Sequence, residues 1–224
     1  MSPHARTDLG VRFREYSHYT EVKQLVYSIA SLQREKMFHS IAVLSYFHGE
    51  GRTLLCIALA LAYAEACRSK VLIVDTTLRS SPGSLAIKEC LSFSEPRVKS
   101  ISLTEWRTNQ AASALPSSRP ITADRSLDVA GPKFLASGAD FSMILSVAKR
   151  SPDRYGLVVL DTMPLGVRNK NNFDPRLVAR LADTSLLVVS QKLLDAPRLT
   201  EQLRMVEDPA LHLIGTVSNE GFTR

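Results

Sequence analysis

The sequence predicts an α/β domain built on a doubly wound, mainly parallel sheet with helices on both faces. Short apolar runs rich in Val, Ile and Leu recur along the chain, and stretches of helical period fill most of the gaps between them. These runs are apolar at consecutive positions, which is typical of strands that are covered on both faces. A chain of 224 residues, 45% of them hydrophobic, can bury the core of one such domain.

The elements follow one another in a regular order. The predicted strands are 41–45, 71–75, 157–161, 185–190 and 213–217, with a further candidate at 127–130. The predicted helices are 20–36, 53–68, 84–91, 139–149, 175–182 and 197–206. Thr20 is the expected N-cap of the first helix, and Asp195 caps the last. The segment 92–132 is rich in Ser, Pro and Thr, so we expect long loops there.

Two further features indicate how the chain is divided into an arm and a domain, and where it is located. Residues 1–19 are polar and aperiodic, so we expect a flexible arm at 1–19 and a single domain at 20–224. The first ten residues lack the apolar run of a secretory signal. The longest uncharged apolar stretch, 54–64, is far shorter than the roughly 20 residues of a membrane-spanning helix. These observations predict a cytoplasmic protein that does not insert into a membrane.

Charge indicates which partners to expect, and cysteine content indicates the compartment. The net charge of +6 comes from 28 basic and 22 acidic residues that are spread along the chain without a dense basic block. A nucleic-acid partner is therefore not expected. Cys56, Cys67 and Cys90 show neither metal-ligand spacing nor the pattern of a disulfide framework, which favours a reducing compartment.

The turn after the first predicted strand carries the clearest chemical signal. The segment SYFHGEGRT connects that strand to an apolar helix, so N–H groups at the helix start would face an anion. Its glycines let the backbone wrap closely around phosphate oxygens, and Thr53 is placed to offer its hydroxyl to Mg²⁺. The candidate nucleotide ligands are Gly49, Glu50, Gly51, Arg52, Thr53 and Leu54. The alternative is a plain strand-to-helix turn.

The segment departs from the strict P-loop pattern G-x-x-x-x-G-K-[ST] at two positions. Tyr46 stands at the first glycine and Arg52 at the lysine. Lysine is a compact charge, whereas arginine is a wide planar fork. Arg52 can still bind phosphate in a different geometry, and it is also a candidate catalytic residue.

Two aspartates support a nucleotide site, because each ends a predicted strand. Asp75 closes VLIVD and Asp161 closes LVVLD. The carboxyl ends of parallel strands open on one edge of the sheet, where ligands bind. We assign Asp161 to a Mg²⁺ site, and Asp75 either to the same metal or to orienting a nucleophile. Taken singly, each is also consistent with a turn former or helix cap.

These residues resemble the motifs of bacterial tyrosine kinases of capsular and exopolysaccharide synthesis, the CpsD-like branch of the MinD/ParA class of P-loop ATPases. The Walker A pattern of that family is S-x-x-P-G-E-G-K-[ST], which SYFHGEGRT matches except at His48 and Arg52. Its Walker A′ is close to L-I-D-A-D-x-R. Here IVDTTLR keeps Asp75 and Arg79 but has Thr77 for the second aspartate. Its Walker B, Y-D-x-V-I-I-D-T-P-P, is followed closely by YGLVVLDTMP.

The resemblance extends from about residue 20 to the end of the sequence, through 179–191 and 213–221. It implies ATP or ADP with Mg²⁺ as cofactors, and it places Asn219 near the adenine. It also implies a membrane chain-length (co-polymerase) protein of polysaccharide export as partner, recruitment by that partner to the inner face of the membrane, and a capacity to form homo-oligomers.

Several departures from the family bear on activity. The oligomerisation pattern E-x-x-R-x-x-R aligns with Glu21, Gln24 and Tyr27, which lack both arginines. The expected C-terminal tyrosine cluster is not found in NEGFTR. With the altered Walker motifs, these departures favour a nucleotide-binding regulator with weak or no kinase activity, in which nucleotide and Mg²⁺ binding can both have been lost.

Two alternatives remain at this stage. One is a pseudokinase scaffold for the co-polymerase. The other is a positioning ATPase of the ParA/MinD kind, which ranks last because such proteins usually carry a further lysine near the start of the P-loop.

Overall fold

A computed structural model describes residues 16–76, 98–100, 127–130, 155–167, 173–190, 200, 204 and 207–220. Its strands are β1 (Ser40–Ser45), β2 (Val71–Asp75), β3 (Val98–Ser100), β4 (Leu127–Ala130), β5 (Leu157–Asp161), β6 (Thr184–Ser190) and β7 (Leu213–Asn219). They form one sheet in the order β3-β4-β2-β5-β1-β6-β7, and every pairing is parallel. The predicted doubly wound, mainly parallel sheet is therefore confirmed.

The central strands are buried because their side chains are apolar on both faces. All residues of β1, β2 and β5 are buried. Ile41 and Val43 point into one hydrophobic cluster, whereas Ala42 and Leu44 point into a second cluster on the opposite face. Each face of the sheet therefore needs a helical cover, as the runs of consecutive apolar residues predict.

In the described residues, helices pack on both faces of the sheet. Helices α1 (Thr20–Lys36) and α2 (Arg52–Ala66) pack on the first cluster. Helix α3 (Pro175–Leu181) and a 3₁₀ turn at Pro209–Leu211 pack on the second.

Helix α1 matches the predicted range, but its N-cap was predicted wrongly. The cap is Tyr19, which has extended backbone angles (φ −62°, ψ 141°), and Thr20 is already the first helical residue. Tyr19 makes no side-chain capping bond, so a rule based on side-chain oxygens could not identify it. The described structure begins four residues before α1, at Tyr16, which packs against the first cluster.

The remaining differences lie at element boundaries and at the sheet edge. Helix α2 begins one residue earlier than predicted because Gly51 caps it, and β7 continues to Asn219. Strand β3 falls inside a segment predicted as loop. It has three residues, two of them polar, and so has no apolar run to detect.

Some predictions concern residues outside the described parts. These are the helices at 84–91 and 139–149, most of 197–206, Asp195, and the Walker A′ residues Thr77 and Arg79. Among the helices that the structure describes, none is long and apolar enough to cross a membrane.

Candidate functional site

The candidate phosphate loop lies at the carboxyl end of β1, in the middle of the sheet. Strands β5 and β6 flank β1, and α2 starts where the loop ends. Gly49 and Gly51 have φ angles of +82° and +95°, a conformation that residues with a Cβ rarely adopt. Gly51 is the N-cap of α2, so the first N–H groups of that helix open onto the loop.

Glu50 braces the loop from inside. Its side chain is buried, and Oε2 accepts a hydrogen bond from the Phe47 N–H at 2.8 Å. Its other carboxylate oxygen accepts from the Ser190 N–H at the end of β6, at 3.4 Å. In this arrangement the carboxylate of Glu50 fixes the loop, and the predicted role of Glu50 as a nucleotide ligand stays a prediction.

Asn219 holds the loop from the other side. Its side-chain amide donates to the Glu50 carbonyl at 2.9 Å, and a Cβ added to Gly51 would clash with the same amide nitrogen. The glycine at position 51 is therefore required both by its φ angle and by this close approach. Asn219 thus lies beside the start of α2, and its assignment to the adenine stays a prediction.

Arg52 is turned back beneath the loop. Its Nη1 donates to Ser45 Oγ at 2.5 Å, and that hydroxyl donates in turn to the Phe47 carbonyl at 3.0 Å. Its Nε is buried and has no hydrogen-bond partner among the described residues. Burial lowers the pKa of Arg52, and the nearby charge of Asp161 opposes that shift. The guanidinium group of Arg52 is thus held close to the loop by the neutral hydroxyl of Ser45.

Thr53 and Asp161 meet at the carboxyl end of β5. Thr53 Oγ1 donates to Asp161 Oδ2 at 2.7 Å, and Oδ1 is buried without a partner in the described part of the chain. Burial raises the pKa of Asp161 to about 6; Arg52 lowers it, and Asp75 raises it further. Asp75 is also buried and pairs in register with Asp161 across β2 and β5. The two aspartates therefore sit side by side, as their strand-end positions predict.

This set of oxygens suits Mg²⁺. The hydroxyl of Thr53 keeps lone pairs for a cation while it donates its proton to Asp161, and Oδ1 of Asp161, which has no hydrogen bond from the described residues, could also bind a cation. The described residues contain no cluster of three or more His, Cys, Asp or Glu side chains able to hold a metal alone. A cation here would need phosphate oxygens and water to complete its six ligands.

Cys56 also lies at this site, and the sequence analysis did not assign it a role there. Burial, followed by the charge of Asp161, raises the pKa of its thiol well above the usual value. Cys56 lies one helical turn after Arg52, so both side chains share a face of α2. That spacing was the available signal. Ser45 and Ser190, which hold Arg52 and Glu50, were also missed, and only their strand-end positions hinted at a role.

The segment after β5 closes the loop from a third direction. The N–H groups of Leu165 and Gly166 donate to the carbonyls of Ser45 and Tyr46, at 2.9 and 3.0 Å. A Cβ on Gly166 would lie 2.8 Å from the Tyr46 carbonyl oxygen, so this close passage requires glycine. These two hydrogen bonds thus fix the start of the loop to the segment that follows Asp161.

An apolar cavity of about 350 Å³ opens beside the loop. Gly51 and Asn219 form the side nearest the phosphate loop. Its other walls come from α1, α2, β6, β7 and the residues before α1, namely Tyr16, Tyr19, Glu21, Val22, Leu25, Leu54, Leu55, Ala58, Val188, Thr216, Val217 and Ser218. Leu54, a predicted ligand residue, therefore faces this cavity.

No family model and no curated protein matches this chain in sequence. Solved structures do match it. The kinase domain of the Escherichia coli tyrosine kinase ETK aligns at 20% identity over 91% of this chain and 75% of its own, with a TM-score of 0.59. The VpsO kinase domain aligns at 19% identity over 96% and 98%, with a TM-score of 0.61. The BceF tyrosine kinase domain aligns at 18% identity over 88% and 75%, with a TM-score of 0.57.

These likenesses establish that the chain has the fold of bacterial tyrosine kinase domains. The family resemblance read from the Walker-like segments is confirmed at that level.

Proposed function

We propose that this chain is a nucleotide-binding regulator of bacterial exopolysaccharide or capsule synthesis, with a tyrosine-kinase-like fold and weak or no phosphoryl transfer. The observation that carries the proposal is the braced loop at 49–53. Two glycines there hold positive φ angles at the head of α2, beside the Thr53–Asp161 pair. Such a loop is a phosphate cradle with a cation site at its side.

Different groups would bind the phosphates and the metal ion. Backbone N–H groups of 49–53 would hold the phosphates, and Thr53, Asp161 and Asp75 would hold Mg²⁺ through oxygen ligands. Mg²⁺, when bound, neutralises charge on the phosphate oxygens. Asp75 ends β2 next to Asp161, where it can also orient an attacking hydroxyl or water.

Arg52 favours binding over turnover. A P-loop lysine reaches the terminal phosphates as a point charge, whereas Arg52 donates to Ser45 below the loop. From that position its charge would stabilise all of the bound phosphates and would not contact a phosphoryl group during its transfer. The same observation favours the scaffold alternative, in which nucleotide binding sets the shape that a partner recognises and no phosphate moves.

Calorimetric titration with ADP and ATP, with and without Mg²⁺, tests the proposal while phosphate release is followed in parallel. We expect binding with little or no release. Arg52→Ala should weaken ADP binding by about 10- to 100-fold, the range of a lost charge-assisted hydrogen bond. Arg180→Ala removes an exposed arginine of α3 and serves as the control. Absence of binding at millimolar concentration of either nucleotide would refute the proposal.

Arg52→Lys separates a regulator with residual kinase activity from a scaffold. Phosphate release gained by that variant would show that only the lysine was missing, and no gain would favour the scaffold. For the partner, we propose the cytoplasmic part of a membrane co-polymerase of polysaccharide export. It would recruit a cytoplasmic chain to the membrane. ATP-dependent binding to DNA or to lipid vesicles would instead favour a ParA/MinD-like positioning ATPase.

A further inference from the structure

We propose that Tyr16 and Tyr19 form an aromatic wall for the base of the bound nucleotide, so that the segment before α1 completes the nucleotide site. This inference rests on the proposed function and adds the residues that recognise the base. It concerns the apolar cavity beside the phosphate loop.

The cavity is placed to receive the part of a nucleotide that lies beyond its phosphates. Gly51 lines it and also caps α2, and Asn219 lines it and also donates to the Glu50 carbonyl. A ligand whose phosphates lie on 49–53 therefore has this cavity as the adjoining space. Its volume of about 350 Å³ falls within the range of small-ligand sites.

The walls suit a flat aromatic group with polar edges. Leu54, Leu55 and Val217 supply apolar surface, and the lining also includes the polar residues Thr216 and Ser218 of β7. A nucleobase has an apolar face and a polar rim, which match such walls. A bare phosphate or a sugar would leave the apolar surface uncovered.

The two tyrosines are held in position. Their rings meet edge to face, with centroids 5.3 Å apart and planes at 88°. The Tyr19 N–H donates to the Tyr16 carbonyl at 3.2 Å, and Ser17 between them is only 3% exposed. His18 lies 3.9 Å from Glu65 of α2. The turn at 16–19 thus contacts the domain, and both of its tyrosines line the cavity.

Tyr19 also keeps surface that is exposed to solvent. Tyr19 is 48% exposed although it lines an apolar cavity, whereas Tyr16 is packed against the core. A base that stacks on Tyr19 would cover that exposed face. Stacking of a base on an aromatic side chain is worth about 1–3 kcal/mol, which corresponds to about 5- to 150-fold in affinity.

The test compares ADP with inorganic pyrophosphate, which has the phosphates but no base, by calorimetry on the full chain. Tyr19→Ala should weaken ADP binding by about 10-fold or more and leave pyrophosphate binding unchanged, and Tyr19→Phe should restore ADP binding. Tyr16→Leu, which keeps apolar packing on the core, should also weaken ADP selectively. Tyr27→Ala removes a 66%-exposed tyrosine of α1 outside the cavity and should change neither ligand.

Two results would overturn the inference alone. In one, ADP affinity stays within twofold in Tyr19→Ala. In the other, ADP and pyrophosphate weaken equally, which would mean that the tyrosines act on the loop and not on the base. If the unaltered chain binds neither ADP nor pyrophosphate, the proposed function fails and this inference fails with it.

Discussion

Buried aspartates lie at both ends of the parallel strands, which we call the amino edge and the carboxyl edge of the sheet, and the partners of these aspartates differ. At the amino edge, Asp128 of β4 accepts from the Tyr155 hydroxyl at 2.5 Å and lies 3.0 Å from Lys70 Nζ. That ammonium also lies 5.8 Å from the centre of the Tyr155 ring. At the carboxyl edge, Asp161 is bonded by the neutral hydroxyl of Thr53, while Arg52 donates to the hydroxyl of Ser45.

The difference is the one expected between a structural cluster and a site that binds a charged ligand. Asp128 has a cation in direct contact, so its charge is compensated within the fold. Arg52 and Asp161 influence each other's pKa, yet each is hydrogen-bonded to a neutral group. Charges that are buried but bonded to neutral partners can still bind a ligand of opposite charge, and such perturbed groups cluster at functional sites.

The comparison predicts that the largest effect on stability lies at the amino edge, where Asp128 and Lys70 pair directly. Asp128→Ala leaves Lys70 without its partner and should destabilise the fold by about 3 kcal/mol, while ADP affinity of the folded fraction stays unchanged. Urea unfolding and calorimetry measure the two quantities. Arg176→Ala breaks the more exposed pair with Asp208 and should cost at most about 1 kcal/mol. A loss of ADP affinity in Asp128→Ala would remove the distinction between the edges.

At the carboxyl edge, two glycines of the loop allow a matched pair of substitutions. Gly49→Ala and Gly51→Ala both place a Cβ on a residue with positive φ, which costs about 1 kcal/mol. Only Gly51→Ala also meets the Asn219 amide, since the space around Gly49 is open. We expect about 2 kcal/mol of destabilisation for Gly51→Ala and about 1 kcal/mol for Gly49→Ala. Asn219→Ala added to Gly51→Ala should recover the difference, and a failure to do so would argue against the brace.

A further expected effect is a pH dependence of stability to which Asp161 should contribute. Its folded-state pKa of about 6 lies above the usual 3.8, so between these values the folded chain holds a proton that the unfolded chain has released. Its contribution to stability is therefore greatest below about pH 4 and is lost as the pH rises towards 6, by about 1 kcal/mol per pH unit. The free-energy difference between the original chain and Asp161→Asn, followed by urea unfolding, should show this slope. A difference independent of pH would contradict the raised pKa.

The sequence was sufficient for the parts of the fold that depend on local pattern. Strands β2 and β5 match their predicted ranges because each is a continuous apolar run that ends in an aspartate. Strand β4 also matches its predicted range. The parallel arrangement then places Asp75 beside Asp161, which the register bears out. Whether the predicted ligands bind nucleotide stays a prediction.

The parts that could not be predicted depend on contacts between distant segments. Asn219 and Glu50 meet across 169 positions of sequence, and the inward turn of Glu50 depends on Ser190 at the end of β6. The direction of Arg52 follows from Ser45 at the end of a different element. Local propensity contains no information about such pairings, because they are set by the packing of strands whose neighbours are remote in sequence.

The bracing of the loop by Leu165 and Gly166 has a kinetic consequence. A cradle that is already formed loses little backbone entropy when a ligand enters, so association needs no slow rearrangement of the loop. Diffusion into the cleft would then set the arrival rate for all nucleotides alike. Discrimination among them would lie in how long each one stays bound, so residence time is the quantity through which this domain would distinguish its ligands.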